Sequence, residues 1–189
     1  LQLTIARGEL LVLIGPSVEA IDVMGDKITS KELAKNAGVP VIPGHIEAIK
    51  DEAEAIRIAD EIGYPILLKP AAGGGGKGMR TVRKSEEMKE ALAASRKETQ
   101  KAFNDTRVFV ERYIGRAKHI EVQILGDQHG NLVHLWERDC SVQRRHQKVV
   151  EVAPAMHLDP KIRKELCDAA VKLAQGIGYN NAGTVEFLY

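Results

Sequence analysis

The sequence predicts an α+β protein, in which helices pack on antiparallel strands. Three features indicate this class: a glycine-rich loop between two extended segments, two amphipathic helical segments, and a long antiparallel hairpin. They occupy residues 66–82, residues 51–62 with 85–103, and residues 119–138. The 189 residues are enough to bury a core, as one domain or as two small ones.

The composition argues against several functional classes. The net charge is +1 with 28% charged residues, so a general nucleic-acid or membrane-surface binder is not expected. No apolar run approaches membrane-spanning length, and the first residues lack the basic region and cleavage site of a signal peptide. Cys140 and Cys167 match no metal spacing. They predict ordinary thiols of a reducing compartment, either the cytosol or a mitochondrial matrix.

The glycine-rich loop, residues 73–78, is a candidate anion-binding element. Consecutive glycines reach positive φ and expose backbone N–H groups, so such a loop can wrap closely around a phosphate. Lys69 and Lys77 add positive charge on both sides of it. A flexible hairpin connection is the alternative interpretation. The loop is not a P-loop, because Gly78 rather than Ser or Thr follows Lys77.

The chain before the loop predicts a buried strand at 10–14, a short helix at 18–24, and a helix from Asp26 to Gly38. Lys27 would then lie in the first turn of the last helix, where the helix dipole disfavours a cation. A shared anion would explain this placement, and a solvated lysine is the alternative. An extended connector follows at 39–44.

Residues 43–113 predict a small α+β unit with the glycine loop at its tip. One amphipathic helix covers 51–62, and Ser85 is the expected N-cap of another that runs to about Phe103. We expect two hairpin-like strand pairs here, the last strand being 108–114. This geometry suits a lid that closes over a ligand.

The rest of the chain combines a hairpin, a basic segment, a helix and a final strand. The segment 138–148 contains Arg144, Arg145, His146 and Lys148 between apolar strands, so it should lie against a sheet and near an anionic partner. A helix begins at 159–160 and ends near 176–178. Glu186 lies within an apolar final strand and favours a cation or metal partner; an edge strand with Glu186 in water is the alternative.

Together these segments resemble the biotin carboxylase component of the biotin-dependent carboxylases, a family with the ATP-grasp fold. The motifs that carry the resemblance are residues 24–27, Lys69 with 73–80, 119–123, 137–148 and 183–188. The resemblance extends from about Ile14 to the end. The segment 137–148 is very specific, whereas other ATP-grasp enzymes share the glycine loop. Pyruvate and acyl-CoA carboxylases look closest, and the choice between them stays open.

The resemblance implies that MgATP phosphorylates bicarbonate and that carboxyphosphate then carboxylates biotin on a carrier domain. It implies catalytic roles for Lys148, which meets bicarbonate, and for His146 at the phosphate end of ATP. The implied nucleotide contacts are Lys27 and Lys69 at the phosphates, Gly74, Gly75, Gly76, Lys77, Gly78 and Met79 in the closing loop, Glu111, Arg112, Tyr113 and Ile114 at the adenine, and His119 and Gln143 at the ribose. Glu186 would bind Mg²⁺ or Mn²⁺.

The resemblance also divides the chain. Residues 1–41 would be the end of an N-terminal subdomain with connecting helices, 42–114 the lid, and 115–189 the first part of the C-terminal subdomain. The family's second magnesium-binding carboxylate and its biotin-handling groups lie further downstream, so we expect a fragment that binds nucleotide weakly and turns over little alone. A carboxyltransferase component and a homo-oligomer are implied for the parent enzyme. Another ATP-grasp ligase, such as a carbamoyl-phosphate synthetase-like enzyme, and a non-catalytic nucleotide-binding module stay open.

Overall fold

A computed structural model describes residues 26–73 and 76–189 of the chain. The strand predicted at 10–14, the helix predicted at 18–24, and Gly74 and Gly75 therefore lie outside the described residues. The helices are α1 (Lys27–Asn36), α2 (Glu52–Ile62), α3 (Met88–Phe103) and α4 (Pro160–Gly176). The strands are β1 (Ile66–Pro70), β2 (Arg80–Val82), β3 (Val108–Arg112), β4 (His119–Gly126), β5 (Leu132–Arg144), β6 (Gln147–Val152) and β7 (Asn181–Leu188).

These strands form two antiparallel sheets, and the predicted α+β class is confirmed. The first sheet has three strands in the order β2-β1-β3, and the second has four in the order β6-β5-β4-β7. Helices α2 and α3 pack on the first sheet, and α4 packs on the second. None of the helices in the described ranges is long and apolar enough to cross a membrane.

Short side-chain caps start three of the four described helices. Asp26 accepts hydrogen bonds from the backbone N–H groups of the first turn of α1, and Asp51 and Asp159 do the same for α2 and α4. The predicted N-cap at Ser85 was wrong. Ser85 begins a 3₁₀ turn that runs to Glu87, and α3 starts only at Met88. The Glu87 carboxylate accepts a hydrogen bond from Arg83 N at 2.9 Å, which stabilises the turn that leads into the helix.

The three-stranded sheet corrects the prediction of two separate hairpin pairs. Strand β1 is central and pairs with β2 on one side and β3 on the other. Ile66 and Leu68 of β1 are fully buried against α2 and α3, so both apolar residues face the core. The loop between β1 and β2 contains the glycines and lies at the end of this sheet.

The four-stranded sheet has one apolar and one polar face along β4. Ile120, Val122 and Ile124 are buried, and Val122 and Ile124 pack on the Cys167, Ala170 and Ala174 side of α4. The intervening polar residues of β4 therefore point to the opposite face. Strand β5 continues through Arg144, and β6 starts at Gln147, so the basic segment 138–148 forms the end of a hairpin instead of a separate segment between strands.

Contacts with the first sheet's flanking segments and with α4 hold α1 in place. Lys27 N donates to Ala71 O at 3.0 Å, and Arg107 forms an ion pair of 2.8 Å with the N-cap residue Asp26. On its other side, Ala34 of α1 packs with Leu173 of α4. The first turn of α1 is thereby fixed beside the end of β1, where the glycine loop begins.

Candidate functional site

A cleft of about 280 Å³ has walls from both sheets. Most of the residues that the sequence singled out line it: Lys27, Lys69, Gly76, Lys77, Met79, His119, Gln143, His146, Lys148 and Glu186, together with Pro70 and Gly73. A larger groove of about 430 Å³ lies between β5 and α4, but it contains none of the predicted site residues. The chemistry is concentrated in the smaller cleft.

Two lysines lie on the wall of the cleft that α1 and the three-stranded sheet form. Lys27 Nζ donates to Gly73 O at the start of the glycine loop, and Lys69 Nζ lies 2.9 Å from Glu111 Oε2. Burial and the nearby charge of Lys69 lower the pKa of Lys27, although Asp26 and Glu111 act in the opposite direction. Two ammonium groups that repel each other in a cleft are a favourable place for a phosphate anion.

The Glu111 side chain lies between two lysines, and the contact of Glu111 with adenine stays a prediction. Its carboxylate is buried, with Oε1 2.8 Å from Lys31 Nζ and Oε2 bonded to Lys69. The next three residues, Arg112, Tyr113 and Ile114, are exposed and do not line the cleft. Their contact with adenine stays a prediction. Lys31 was missed in the sequence, since its partner is 80 positions away.

The floor of the cleft is a network of charged side chains on the four-stranded sheet. Glu121 Oε1 lies 2.9 Å from Arg138 Nη2, and Glu121 Oε2 accepts a hydrogen bond from Lys148 Nζ. Arg138 also donates to Gln123 Oε1 at 3.1 Å. Sequence reasoning did not include Glu121 or Arg138 in the site. The available signal was the alternation along β4, which puts His119, Glu121 and Gln123 on one face.

This network keeps its members ionised near neutral pH. Burial alone would raise the pKa of Glu121, but hydrogen bonds from Lys148 and Thr184 and the charge of Arg138 outweigh it and lower that pKa. Burial alone would lower the pKa of Lys148, but the hydrogen bond to Glu121 and the charge of Glu186 raise it instead. Lys148 is therefore a fixed, protonated ammonium group in the cleft.

Glu186 is the carboxylate of the cleft that suits a metal ion. Glu186 lies on β7, an edge strand of the described sheet, and its side chain is 42% exposed, as the water-facing alternative expected. It nevertheless faces the cleft, with Oε1 2.5 Å from His119 Nδ1 and Oε2 3.6 Å from Lys148 Nζ. A partly exposed carboxylate oxygen is a donor that Mg²⁺ and Mn²⁺ accept, so Glu186 fits as one ligand of a set.

A second group of donor atoms is less suited to a metal. Atoms of Glu121, Cys140 and Glu151 lie within 4.8 Å of one another. Arg138 and Lys148 already occupy both oxygens of Glu121. Burial, with the hydrogen bond to Glu121, raises the pKa of the Cys140 thiol to about 11, so the thiol stays protonated and is a poor ligand.

The glycine loop closely approaches the turn between β5 and β6. Arg145 and His146 in that turn have φ values of 52° and 64°, and Gly76 has a φ of 72°. A Cβ atom on Gly76 would lie 2.4 Å from His146 Cδ2, so only glycine allows the approach. Gly78 instead packs next to Thr99 of α3 and Pro70 of β1. Gln143 lines the cleft and donates to Cys140 O at 3.1 Å.

The arrangement can bind a polyanion together with a divalent cation. Positive groups from α1, β1 and β6 converge from opposite walls on a space that also contains the Glu186 carboxylate. The glycine loop borders the same space, where a backbone without side chains can approach a ligand closely. Such a site neutralises negative charge and positions it, which is what phosphoryl transfer requires.

Comparison with known proteins agrees with this chemistry. Residues 26–189 match the family described as "Carbamoyl-phosphate synthase L chain, ATP binding domain". The chain is 52% identical over 180 residues to pyruvate carboxylase of Staphylococcus aureus, covering 95% of this chain and 16% of that protein. It is 54% identical over 175 residues to the mitochondrial pyruvate carboxylase of Mus musculus, covering 93% of this chain and 15% of that protein.

A solved structure gives the same result in three dimensions. The biotin carboxylase domain of 2-oxoglutarate carboxylase from Hydrogenobacter thermophilus superposes with a TM-score of 0.88 at 51% identity, over 92% of this chain and 38% of that one. That domain was crystallised as a dimer with MgADP, ADP and bicarbonate. The predicted ATP-grasp fold is confirmed. The chain spans well under half the length of each of these proteins.

Proposed function

Because this chain belongs to the family of the carbamoyl-phosphate synthase L chain ATP-binding domain, we propose that it forms the nucleotide-binding part of a biotin carboxylase. One observation carries the proposal. The cleft brings together Lys27 of α1 and Lys69 of β1, the Lys148 and Glu186 pair of the second sheet, and a glycine loop. These groups suit ATP, bicarbonate and a divalent cation. The whole protein would carboxylate biotin on a carrier domain.

The lysine wall would bind the phosphates of ATP. Lys27 and Lys69 lie within the same cleft as the loop that contains Gly76 and Lys77. Their charges would offset the charge of the phosphate oxygens, and the loop backbone would add N–H donors as it closes. His119 and Gln143 would contact the ribose, and His146 the phosphate end. Arg112, Tyr113 and Ile114 would read adenine in the same complex.

The opposite wall would position bicarbonate. Lys148 holds its proton at Nζ, and Glu121 fixes the direction in which that ammonium points. An oxygen of bicarbonate would attack the γ-phosphorus, the bond from that phosphorus to the bridging oxygen of ADP would break, and carboxyphosphate would form. Glu186 would be one ligand of the Mg²⁺ or Mn²⁺ ion that neutralises charge on the phosphates. Positioning and charge are the contributions of the protein here.

The division of the chain is part of the same proposal. Residues 42–114 would act as the lid, 115–189 as the first part of the C-terminal subdomain, and 1–41 as the end of the N-terminal subdomain. A carboxyltransferase component and a homo-oligomeric assembly would complete the parent enzyme, which would act in the cytoplasm or in a mitochondrial matrix. The buried free thiols Cys140 and Cys167 are consistent with such a reducing compartment.

A carbamoyl-phosphate synthetase-like ligase would form the same carboxyphosphate, and the family description names that enzyme. The named relatives at 52% and 54% identity are pyruvate carboxylases, which favours the biotin-dependent reaction. The synthetase and the biotin carboxylase predict different effects of biotin on ATP hydrolysis. ATP hydrolysis by the whole protein that contains this chain should rise when free biotin is added, and hydrolysis that ignores biotin would favour the synthetase or a non-catalytic module.

ATP binding tests the proposal for this chain directly. Calorimetry with and without magnesium should detect saturable ATP binding, which Lys69→Ala should weaken by at least about tenfold. The control is Lys89→Ala, at an exposed position on α3, which should bind like the wild type. Folding of each variant is checked by circular dichroism. A folded wild-type chain that binds no ATP would overturn the proposal. We also expect little turnover from the 189 residues alone.

A further inference from the structure

We propose that the side chain of Glu111 is a positioning residue, which holds the Lys69 ammonium in place for the phosphates of the nucleotide. This inference rests on the function proposed above, and it is distinct from the contact of the same strand with adenine. Glu111 does not line the cleft, so it would act through Lys69.

The carboxylate of Glu111 is held between two lysines. Both oxygens of Glu111 are used: Oε1 by Lys31 Nζ at 2.8 Å and Oε2 by Lys69 Nζ at 2.9 Å. The side chains of Glu111 and Lys31 are 6% and 7% exposed, whereas that of Lys69 is 22% exposed. Lys31 therefore holds the carboxylate from the buried side, and the remaining oxygen is directed to the one lysine of the pair that reaches the cleft.

Lys69 and Glu111 lie on paired strands. Lys69 of β1 is directly opposite Phe109 of β3, and Glu111 is opposite Leu67. Lys69 and Glu111 are thus diagonal neighbours on one face of an antiparallel pair, where long side chains meet. The strands are held by the sheet register and by a buried core, so the position of the carboxylate does not depend on a loop.

The aromatic ring of Phe109 lies beside both Lys31 and Lys69. Lys31 Nζ and Lys69 Nζ lie 5.9 Å and 5.8 Å from the centre of the Phe109 ring. The ring is buried and offers its face to cations. The Lys69 ammonium therefore has a carboxylate on one side and an aromatic ring on another, with the cleft as its open side.

The direction of the change in ATP affinity on removal of Glu111 distinguishes an effect of charge from an effect of orientation. Glu111 is a negative charge near a phosphate site, so charge alone would make its removal strengthen ATP binding. If Glu111 instead orients Lys69, its removal weakens ATP binding, because the Lys69 ammonium loses its fixed direction. The two effects oppose each other, and a measured affinity shows which one prevails.

The test compares Glu111→Gln with wild type for two ligands, MgATP and adenosine. Adenosine lacks phosphates, so it reports the adenine and ribose contacts alone. We expect about a tenfold loss of MgATP affinity and less than about a twofold change for adenosine. In a Lys69→Ala background, Glu111→Gln should change the MgATP affinity no further. Equal losses for both ligands, or unchanged or tighter MgATP binding, would overturn the inference.

Two further variants keep the test decisive. Glu111→Gln leaves two lysines beside each other, so the compensated Lys31→Met/Glu111→Gln variant, which removes one charge of each sign, serves if the single variant does not fold. It should show the same selective loss for MgATP. The matched control is Glu61→Gln, which breaks the exposed Arg57–Glu61 pair and should leave both affinities unchanged. Wild type that binds MgATP, with Lys69→Ala weakened but Glu111→Gln unaffected, would defeat this inference alone and leave the proposed function standing.

Discussion

Glu121 of β4 accepts a hydrogen bond from Lys148 of β6, although β5 lies between the two strands. The contact is possible because both side chains project from the same face of the sheet. Arg138 of the intervening β5 holds the other oxygen of Glu121. The result is a charge cluster across three strands, in which the buried Glu121 carboxylate is shared by Arg138 and Lys148, and Lys148 reaches the cleft.

This charge cluster predicts a pH-dependent loss of stability when Glu121 is changed. The pKa of Glu121 in the folded protein lies below its ordinary value of 4.5, so its ionised form stabilises the fold above that pH. We expect Glu121→Gln to lower the free energy of unfolding at pH 7 by about 2 kcal/mol, because Arg138 and Lys148 lose the buried carboxylate that they share. The difference from wild type should shrink as the pH falls below 4.5 and through the folded pKa.

Urea denaturation between pH 7 and pH 3 measures this difference. The exposed pair of Glu61 provides the control, since Glu61→Gln should cost less than about 1 kcal/mol at any pH. A Glu121→Gln difference of the same size at pH 7 and pH 3 would contradict the role of the ionised carboxylate.

The lowered pKa of Lys27 predicts how ATP binding changes at alkaline pH. Burial and the neighbouring Lys69 lower its pKa from the ordinary 10.5, so Lys27 loses its proton at a lower pH than a free lysine. As the pH is raised, ATP affinity should therefore begin to fall before the pH reaches 10.5. Lys27→Arg keeps its charge and should move this fall to higher pH, as measured by ATP titrations between pH 7 and pH 10. An identical alkaline profile for both proteins would remove Lys27 from the phosphate site.

Gly76 predicts a steric effect that can be separated from backbone strain. Gly76 and Gly130 have positive φ values of 72° and 87°, but a Cβ atom would meet His146 at Gly76 and nothing within 4 Å at Gly130. Each Gly→Ala change should cost about 1 kcal/mol of stability. Only Gly76→Ala should also weaken ATP binding, because the loop can no longer approach His146. Equal ATP affinities for the two alanine variants would show that the contact is unimportant.

Glu186 predicts the dependence of binding on magnesium. Removing its carboxylate by Glu186→Gln should leave ATP affinity without metal nearly unchanged and reduce the gain that magnesium produces by about tenfold, since one oxygen ligand is lost. Calorimetric titration of ATP at several magnesium concentrations measures this gain. Glu151→Gln is a suitable control, because Glu151 pairs with Arg138 at 3.2 Å and does not line the cleft. A full magnesium response in Glu186→Gln would exclude Glu186 as a ligand.

Apart from the N-cap at Ser85, the wrong or missing predictions concern contacts that join distant segments. Ser85 is a good N-cap by residue type, but the chain enters α3 through a 3₁₀ turn. Two hairpins were expected because β3 follows a helix, yet β3 pairs with β1 and completes one sheet. Lys31 and Glu121 were overlooked as site residues, because their partners are 80 and 27 positions away. The hairpin, the N-cap at Asp26 and the helix start at 159–160 depend on neighbours within a few residues and were predicted correctly.

Residue order alone was sufficient for the helices, most strands, the α+β class and the chemical character of the site. Apolar periodicity, caps and glycines act over one or two turns, and a resemblance carried by the segment 137–148 pointed to the family. The tertiary structure decided which charges meet: Glu111 with Lys69 and Lys31, and Glu121 with Arg138 and Lys148. Sheet order and register set those distances, and they arise from burying the apolar faces of distant segments together, which no local pattern specifies.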